Sequence, residues 1–358
     1  VQIVRNEHAA WEGPPHWEIS ASPTLDIGSG AEPQPILGSV ISGARLSDGR
    51  VVIAERPAQL RLFGPNGEER LVIGREGSGP GEFRMPILWM RRVRGDTLVV
   101  FDGTQRLSVV IPAGSFVRVW ERPGGQHGLC PWALDALTSW RIVMRMGCDY
   151  PSSAAEGVFR TSLTYGLLDL QTGRMDTIGT FPGPERYAYE GGRSWGEVAL
   201  GAATVVVAGG RVVYLGTGDA YPIWSYSEAG QPRLAIDRST ERLRVREMDR
   251  QRYLAQQRPR ARGGLTGRER AAPEQFADSF PAYTRLLVDA LGYLWVEAGN
   301  PPQVGRTWTV FGADGRMLGD VSVPVMFDLY EVGADYVLGR WTDDGGAHSV
   351  RVYGLTRR

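Results

Sequence analysis

Gly192-Arg193-Ser194-Trp195-Gly196 has the G-x-S-x-G spacing that lifts a serine nucleophile onto a sharp turn between a strand and a helix. Such an elbow also needs an acid and a histidine further along the chain. Here a strand-like run follows, and the only later histidine is His348. No serine-hydrolase site is expected. A second stretch, residues 74–83 (GREGSGPGEF), has the glycine content of a phosphate cradle. A P-loop requires Gly-Lys-Ser/Thr, and a dinucleotide loop requires G-x-G-x-x-G leading into a helix. The chain has no lysine, the glycines run G-x-G-x-G over 77–81, and no helical pattern follows. These glycines are read as turn residues that supply positive φ, with Pro80 fixing the backbone and Phe83 anchoring what comes next.

Metal chemistry is thin as well. Calcium takes roughly six to eight oxygen ligands. There are three asparagines (Asn6, Asn66, Asn300), Asn66 belongs to a turn, and the candidate carboxylates Asp135 and Asp289 stand isolated. The four histidines are His8, His16, His127 and His348, too scattered for a zinc lyase. Cys130 and Cys148 make no C-x-x-C or C-x-x-C-H motif. They sit in turn-rich segments with 17 residues between them, which a hairpin can close, and a disulfide in an oxidising compartment is expected. No catalytic residue, metal ligand or cofactor site is assigned.

The elements that would carry any site are short strands. In 358 residues there are 47 glycines and 23 prolines, as suits many strands joined by tight turns. Asp48-Gly49 and Asn66-Gly67 are favoured hairpin turns. Six units of strand, turn, strand, strand, turn, strand can be read from Gly38 to the end. The sixth lacks its outer strand. Trp17–Ile27, which alternates Trp17, Ile19, Leu25 and Ile27 and has no partner before the first unit, can supply it and leave no open edge. Residues 1–16 read as a polar arm and 17–358 as one all-β domain. Residues 239–277 interrupt the period between units four and five. Ser239 or Thr240 is expected to cap a helix running to about Gln257. From Glu241 to Arg270 this insert holds ten arginines against four acids.

The stretch GREGSGPGEF, set between LRLFGPNGEERLVIG and RMPILWMRRVRGDTLVVFD, resembles the NHL-type repeat of six-bladed β-propellers. The likeness is close in the first two units and fades in the later connectors. The resemblance implies an all-β six-bladed propeller with the N-terminal strand closing the last blade, akin to secreted or lipid-anchored bacterial propellers of unassigned activity.

All 40 basic residues are arginine and 40 acidic residues balance them, so nothing global points to nucleic acid. The start, Val-Gln-Ile-Val-Arg, is read as processed, with a lipid anchor removed or carried elsewhere. The longest apolar run, residues 198–210, is too short to cross a membrane. Most tryptophans fall within the repeats and are expected in the core, but Trp195 shares a Gly-rich loop with Arg193, beside Tyr187 and Tyr189. Exposed aromatics with arginine are the usual material of interface hot spots. Tyr187, Tyr189, Arg193 and Trp195, with Arg246, Arg250 and Tyr253 of the insert, are the interface candidates. The expectation is a non-catalytic periplasmic or extracytoplasmic scaffold bound to other protein subunits of a membrane complex; a photosynthetic reaction-centre–light-harvesting complex is one such partner. The alternatives are a metal-dependent hydrolase or lyase working in the propeller channel, and a small-ligand or glycan binder.

Overall fold

The computed structural model describes residues 1–13, 16–30, 36–84, 86–121, 131–148, 154–257, 275–300 and 305–358. Cys130 and the second half of the insert, 258–274, lie outside them. Six sheets follow one another along the chain. Sheet 1 comprises Val40–Arg45, Val51–Glu55, Gln59–Phe63 and Glu69–Ile73; sheet 2 comprises Ile87–Arg92, Leu98–Asp102, Leu107–Ile111 and Ser115–Trp120. Sheet 3 begins with Trp132–Ala136 and Arg141–Met146, then the long Gly157–Asp169 and Met175–Tyr189, then Ser194–Ala199 and, in parallel, Gln275–Phe276. Sheet 4 is Val205–Gly209, Val212–Gly216, Ile223–Ser227 and Pro232–Arg238; sheet 5 is Tyr283–Val288, Leu294–Ala298, Gly305–Phe311 and Met317–Pro324. Sheet 6 is Phe327–Val332, Tyr336–Thr342 and His348–Arg357, and its fourth strand is Trp17–Ile27, antiparallel to His348–Arg357. That is the partner its position before the first repeat predicts.

The strands read as nearly continuous apolar runs because both faces of each sheet are covered. In Val51-Val52-Ile53-Ala54, Val52 and Ala54 join the cluster shared with sheet 2, while Val51 and Ile53 join the one shared with sheet 6. Period-two alternation thus feeds two cores at once. Six such clusters fill the gaps between successive sheets, the last joining sheet 6 back to sheet 1. Hydrogen bonds between innermost strands follow the same circuit: Ser42 Oγ to Met90 O, Trp89 Nε1 to Ala133 O, Ala208 N to Asp135 Oδ2, Arg285 Nη2 to Leu329 O, and Arg45 N to Glu331 Oε2. At the remaining junction a Cβ on Gly209 would stand 2.3 Å from Val288 Cβ, so only glycine lets sheets 4 and 5 approach.

The connector at 74–83 closes around Phe83, which is fully buried. Phe83 N donates to Arg75 O at 2.8 Å, and Phe83 O accepts from Gly77 N at 2.9 Å. Gly74 has φ +72°, and a Cβ there would lie 2.5 Å from the Phe83 ring. A strand, not a helix, follows at Ile87.

Two local readings need correction. The helix in the insert spans Glu247–Gln257 and does not begin at Ser239 or Thr240. Asp249 Oδ2 accepts the Arg246 backbone N–H at 3.0 Å, so a carboxylate in the first turn sets the start. Residues before it run beside 278–280 instead, with Val245 N on Asp278 O and Phe280 N on Leu243 O. The N-terminal residues are more than an arm. Gln2–Asn6 adds in parallel to Pro232–Arg238, the buried Asn6 side chain bonds Gly315 O and Met317 N, and Trp11 packs over Gly319.

Candidate functional site

The innermost strands of all six sheets line one cavity of about 180 Å³ on the axis, with Gly43, Arg91, Ala136, Ala208, Leu287 and Tyr330 each coming from a different sheet. Its charged groups are held in pairs. Arg91 Nε lies 2.6 Å from Asp135 Oδ1, and Asp135 also accepts from Ala136 N and Ala208 N. Arg92 bridges Asp96 at 3.2 Å and Glu331 at 3.3 Å, and Glu331 also takes the Tyr336 hydroxyl. Asp289 accepts from Trp295 Nε1, Arg357 Nη2, Leu291 N and Tyr293 N. Asp135 and Asp289, the two isolated carboxylates of the sequence, are therefore occupied by protein donors. Among the described residues, no three His, Cys, Asp or Glu side chains gather as a metal site.

A second cavity, about 240 Å³, opens between sheets 4 and 5 under the start of the insert. Arg238 Nη1 donates to Thr309 Oγ1 at 2.8 Å, and that hydroxyl donates to Asp320 Oδ1 at 2.7 Å. Burial pushes the Tyr221 phenol up to about 12, so its hydroxyl stays protonated beside Arg238.

The interface candidates gather at one edge of sheet 3, but they do not form one face. Tyr187 and Tyr189 stack with ring centroids 6.4 Å apart. Ala188 pairs with Trp195, so strand alternation puts Trp195 on the opposite face from the tyrosines, where the Arg186 guanidinium lies 5.7 Å from its ring. Trp195 is half-buried; Arg193 is exposed. Ser194 opens a strand, and its hydroxyl donates to Glu190 Oε2 at 2.7 Å, which leaves the G-x-S-x-G stretch a hairpin turn.

Beyond Trp195 the same strand reaches Val198 and Ala199, which pair with Gln275 and Phe276. The helix docks on that addition: the Tyr253 ring meets Phe276 edge-on at 5.7 Å, and the Arg250 guanidinium lies 5.6 Å from the same ring. Arg250 and Tyr253 therefore hold the helix down, while Arg246, Met248 and Arg252 remain exposed. Two features escaped the sequence reading: the arginines inside innermost strands and the acids they meet on neighbouring sheets. The runs MRRVRG and TRLLVDA, charged where a buried strand should be apolar, were the available signal. Cys148 is disulfide-bonded; its expected partner Cys130 lies outside the described residues.

No family model and no curated relative matches the chain. Among solved structures it is similar to a DUF4221-family protein from Bacteroides vulgatus, at 12% identity and TM-score 0.55, with 96% of this chain and 99% of that one covered. It is also similar to a putative exported protein from Bacteroides fragilis, at 14% identity and TM-score 0.50, with 100% of each covered. A calcium-binding regucalcin from Agrobacterium tumefaciens aligns at 9% identity and TM-score 0.42 over 90% and 92%, too weakly to carry an argument. The first two likenesses extend to the fold alone, and the β-propeller is read from the circuit of sheets itself.

Proposed function

We propose that this chain is a six-bladed, NHL-type propeller working outside the cytoplasm as a non-catalytic scaffold, docked to a membrane-bound assembly through the edge of sheet 3. The observation that carries this reading is the asymmetry of that sheet. Among the described residues it alone continues into a long hairpin, an added hairpin strand and a docked helix, where sheet 4 gains only the Gln2–Asn6 strand, and Arg193, Arg246, Met248 and Arg252 are turned outward. Folds spend residues on such extensions where something binds them. The similarity to a putative exported protein supports a location beyond the cytoplasmic membrane, and the Cys130–Cys148 pairing proposed here fits an oxidising compartment. Among the described residues no helix is long and apolar enough to cross a membrane.

The test is affinity purification from native membranes, with the wild type beside an Arg193→Glu/Arg252→Glu double variant. Co-recovery of membrane subunits, lost in the variant, is the expected result; a photosynthetic complex would declare itself by its pigments. Wild-type protein recovered alone in the soluble fraction would sink the reading.

A further inference from the structure

Three guanidiniums converge where sheets 5 and 6 meet. Arg285 stands on the innermost strand of sheet 5, Arg306 on its third strand, and Arg340 on the second strand of sheet 6. Two carboxylates face them, Glu297 and Asp328, so cations exceed anions by one. Asp328 is saturated: Oδ1 accepts Arg306 Nη1 at 2.6 Å and Oδ2 accepts Arg340 Nη2. Glu297 is not. Arg306 Nη1 stands 3.5 Å away and Arg285 Nε 3.8 Å, and no hydrogen bond from the described residues reaches its carboxylate.

The arginines have donors to spare. Arg285 uses Nη2 on Leu329 O, and its Nε and Nη1 make no hydrogen bond among the described residues. Arg306 likewise keeps Nε and Nη2. Solvent reaches both, with 34% and 25% of their side chains accessible, against 9% for Glu297. Their nitrogens approach the same Asp328 oxygen, at 3.9 and 2.6 Å, so the two guanidiniums are near enough for one small anion to span them. Planar guanidinium donors match carboxylate and phosphate oxygens in pairs, and such charge-assisted bonds are the strong ones.

We propose that Arg285 and Arg306 form a binding site for a small oxyanion, a carboxylate or a phosphate, with Glu297 as its proton-linked neighbour. The site does not depend on the docking edge of sheet 3. Burial raises the Glu297 carboxyl above its usual range despite Arg285 and Arg306, and Asp328 pushes it the same way. Protonated, Glu297 adds a donor and withdraws a negative charge; ionised, it competes with the ligand for both arginines. Affinity is therefore high at acid pH and falls as pH rises through the elevated Glu297 value. Of the other groups here, Asp328 is held ionised below its usual range, and burial with Arg340 lowers His348.

The experiment is calorimetric titration of the whole protein with inorganic phosphate and, separately, acetate, at matched chloride ionic strength from acid to neutral pH. Saturable one-site binding is expected, weakened about tenfold or more by Arg306→Gln or Arg285→Gln, each of which removes charge-assisted hydrogen bonds. Tighter binding of phosphate than acetate marks a phosphate site; the reverse marks a carboxylate site. If either arginine variant unfolds by circular dichroism, Glu297→Gln decides: it should retain binding and lose the pH dependence. The proposal fails if neither anion saturates or if folded arginine variants bind like wild type.

Discussion

Sheets 1 and 2 and sheet 3 are built from the same repeat and have been put to different ends. In sheets 1 and 2 one buried carboxylate per sheet is absorbed by the ring. Glu55 and Asp102 end the second strands of their sheets, each nearly fully buried. Each accepts the backbone N–H of the preceding connector, Gly38 or Arg84, and pairs with an arginine on or just before the third strand, Arg61 or Arg106. The same device appears twice, and neither outer strand is extended. In sheet 3 the two central strands overrun the repeat, and the extension carries partly exposed aromatics and a helix fixed by one ring. The difference teaches where the sequence is constrained by closing the ring and where it is free to serve a partner.

The largest effect that could break this comparison is at the connector. Phe83→Ala should cost about 3–5 kcal/mol by denaturant unfolding, the usual cost of emptying a packed phenylalanine site. Phe83 is enclosed by the turn at Gly74 and by Phe116, with ring centroids 5.0 Å apart, and neither can collapse without reopening the chain. A loss below about 1 kcal/mol would mean that the connector does not clamp the first two sheets, since surface-like sites lose no more than that.

Next comes the polar device. Asp102→Asn should cost about 2–3 kcal/mol, because a buried arginine loses its charged acceptor. Asp102 accepts from Arg84 N, Thr104 N, the Thr104 hydroxyl, Arg106 N and Arg106 Nε, and the amide cannot replace all of them. On sheet 3 the comparable pair is Arg186–Glu197, where Glu197 is 79% exposed. Glu197→Gln should cost about 0–1 kcal/mol, the worth of an exposed pair. Equal losses at both sites would erase the distinction between the two regions.

How much of this was legible beforehand follows the same division. The connector, its Phe83 anchor and the Trp17–Ile27 strand could be read because turn glycines and period-two alternation are local signals. The Gln2–Asn6 strand could not. Its residues are mostly polar, and what orders it is a parallel pairing with residues more than 200 positions away, together with Asn6 bonds to sheet 5. The helix start was misplaced because Ser239 and Thr240 look like caps, whereas the working contact is Asp249 on the Arg246 N–H. The Arg285–Glu297–Arg306–Asp328 group was invisible because each member looks unremarkable in its own strand. Only the packing of sheet 6 against sheet 5 brings Asp328 to the other three.

That group gives the third expectation, in pH. Burial opposes the Asp328 charge, but Arg306 and Arg340 outweigh it and hold the folded carboxyl below its usual range. Its contribution to stability is therefore full above the unfolded value and lost as pH falls through the lower folded one. Glu297 runs the other way. Burial raises it, so stability declines as pH climbs from the unfolded value to the folded one, and is flat above. Asp328→Asn should flatten the acid limb of a stability–pH curve. Glu297→Gln should gain on the wild type toward neutral pH, each effect being on the order of 1 kcal/mol. A Glu297→Gln curve parallel to the wild type would show that the carboxyl is not strained by its burial.

The smallest expected effect on stability is at the helix, and it separates the two regions most sharply. The Phe276 ring meets both Tyr253 and Arg250, and Phe276 is itself held only by a two-residue parallel strand. Phe276→Ala should therefore cost below about 1 kcal/mol globally, because aromatic pairs at partly exposed positions contribute about that much. The local consequence is larger. Among the described residues, four hydrogen bonds tie the stretch just before the helix to the 278–280 segment, from Val245 N, Phe280 N, Arg242 Nε and Arg242 Nη2, and none of them comes from the helix, so losing the ring frees the helix as a unit. Limited proteolysis should then cut within 247–257 while hydrogen exchange in sheets 1 and 2 stays at wild-type protection. Protection lost evenly around the ring would mean that the helix is part of the propeller's cooperative core. The edge of sheet 3 would then be no separate platform, and the asymmetry on which the docking reading rests would lose its meaning.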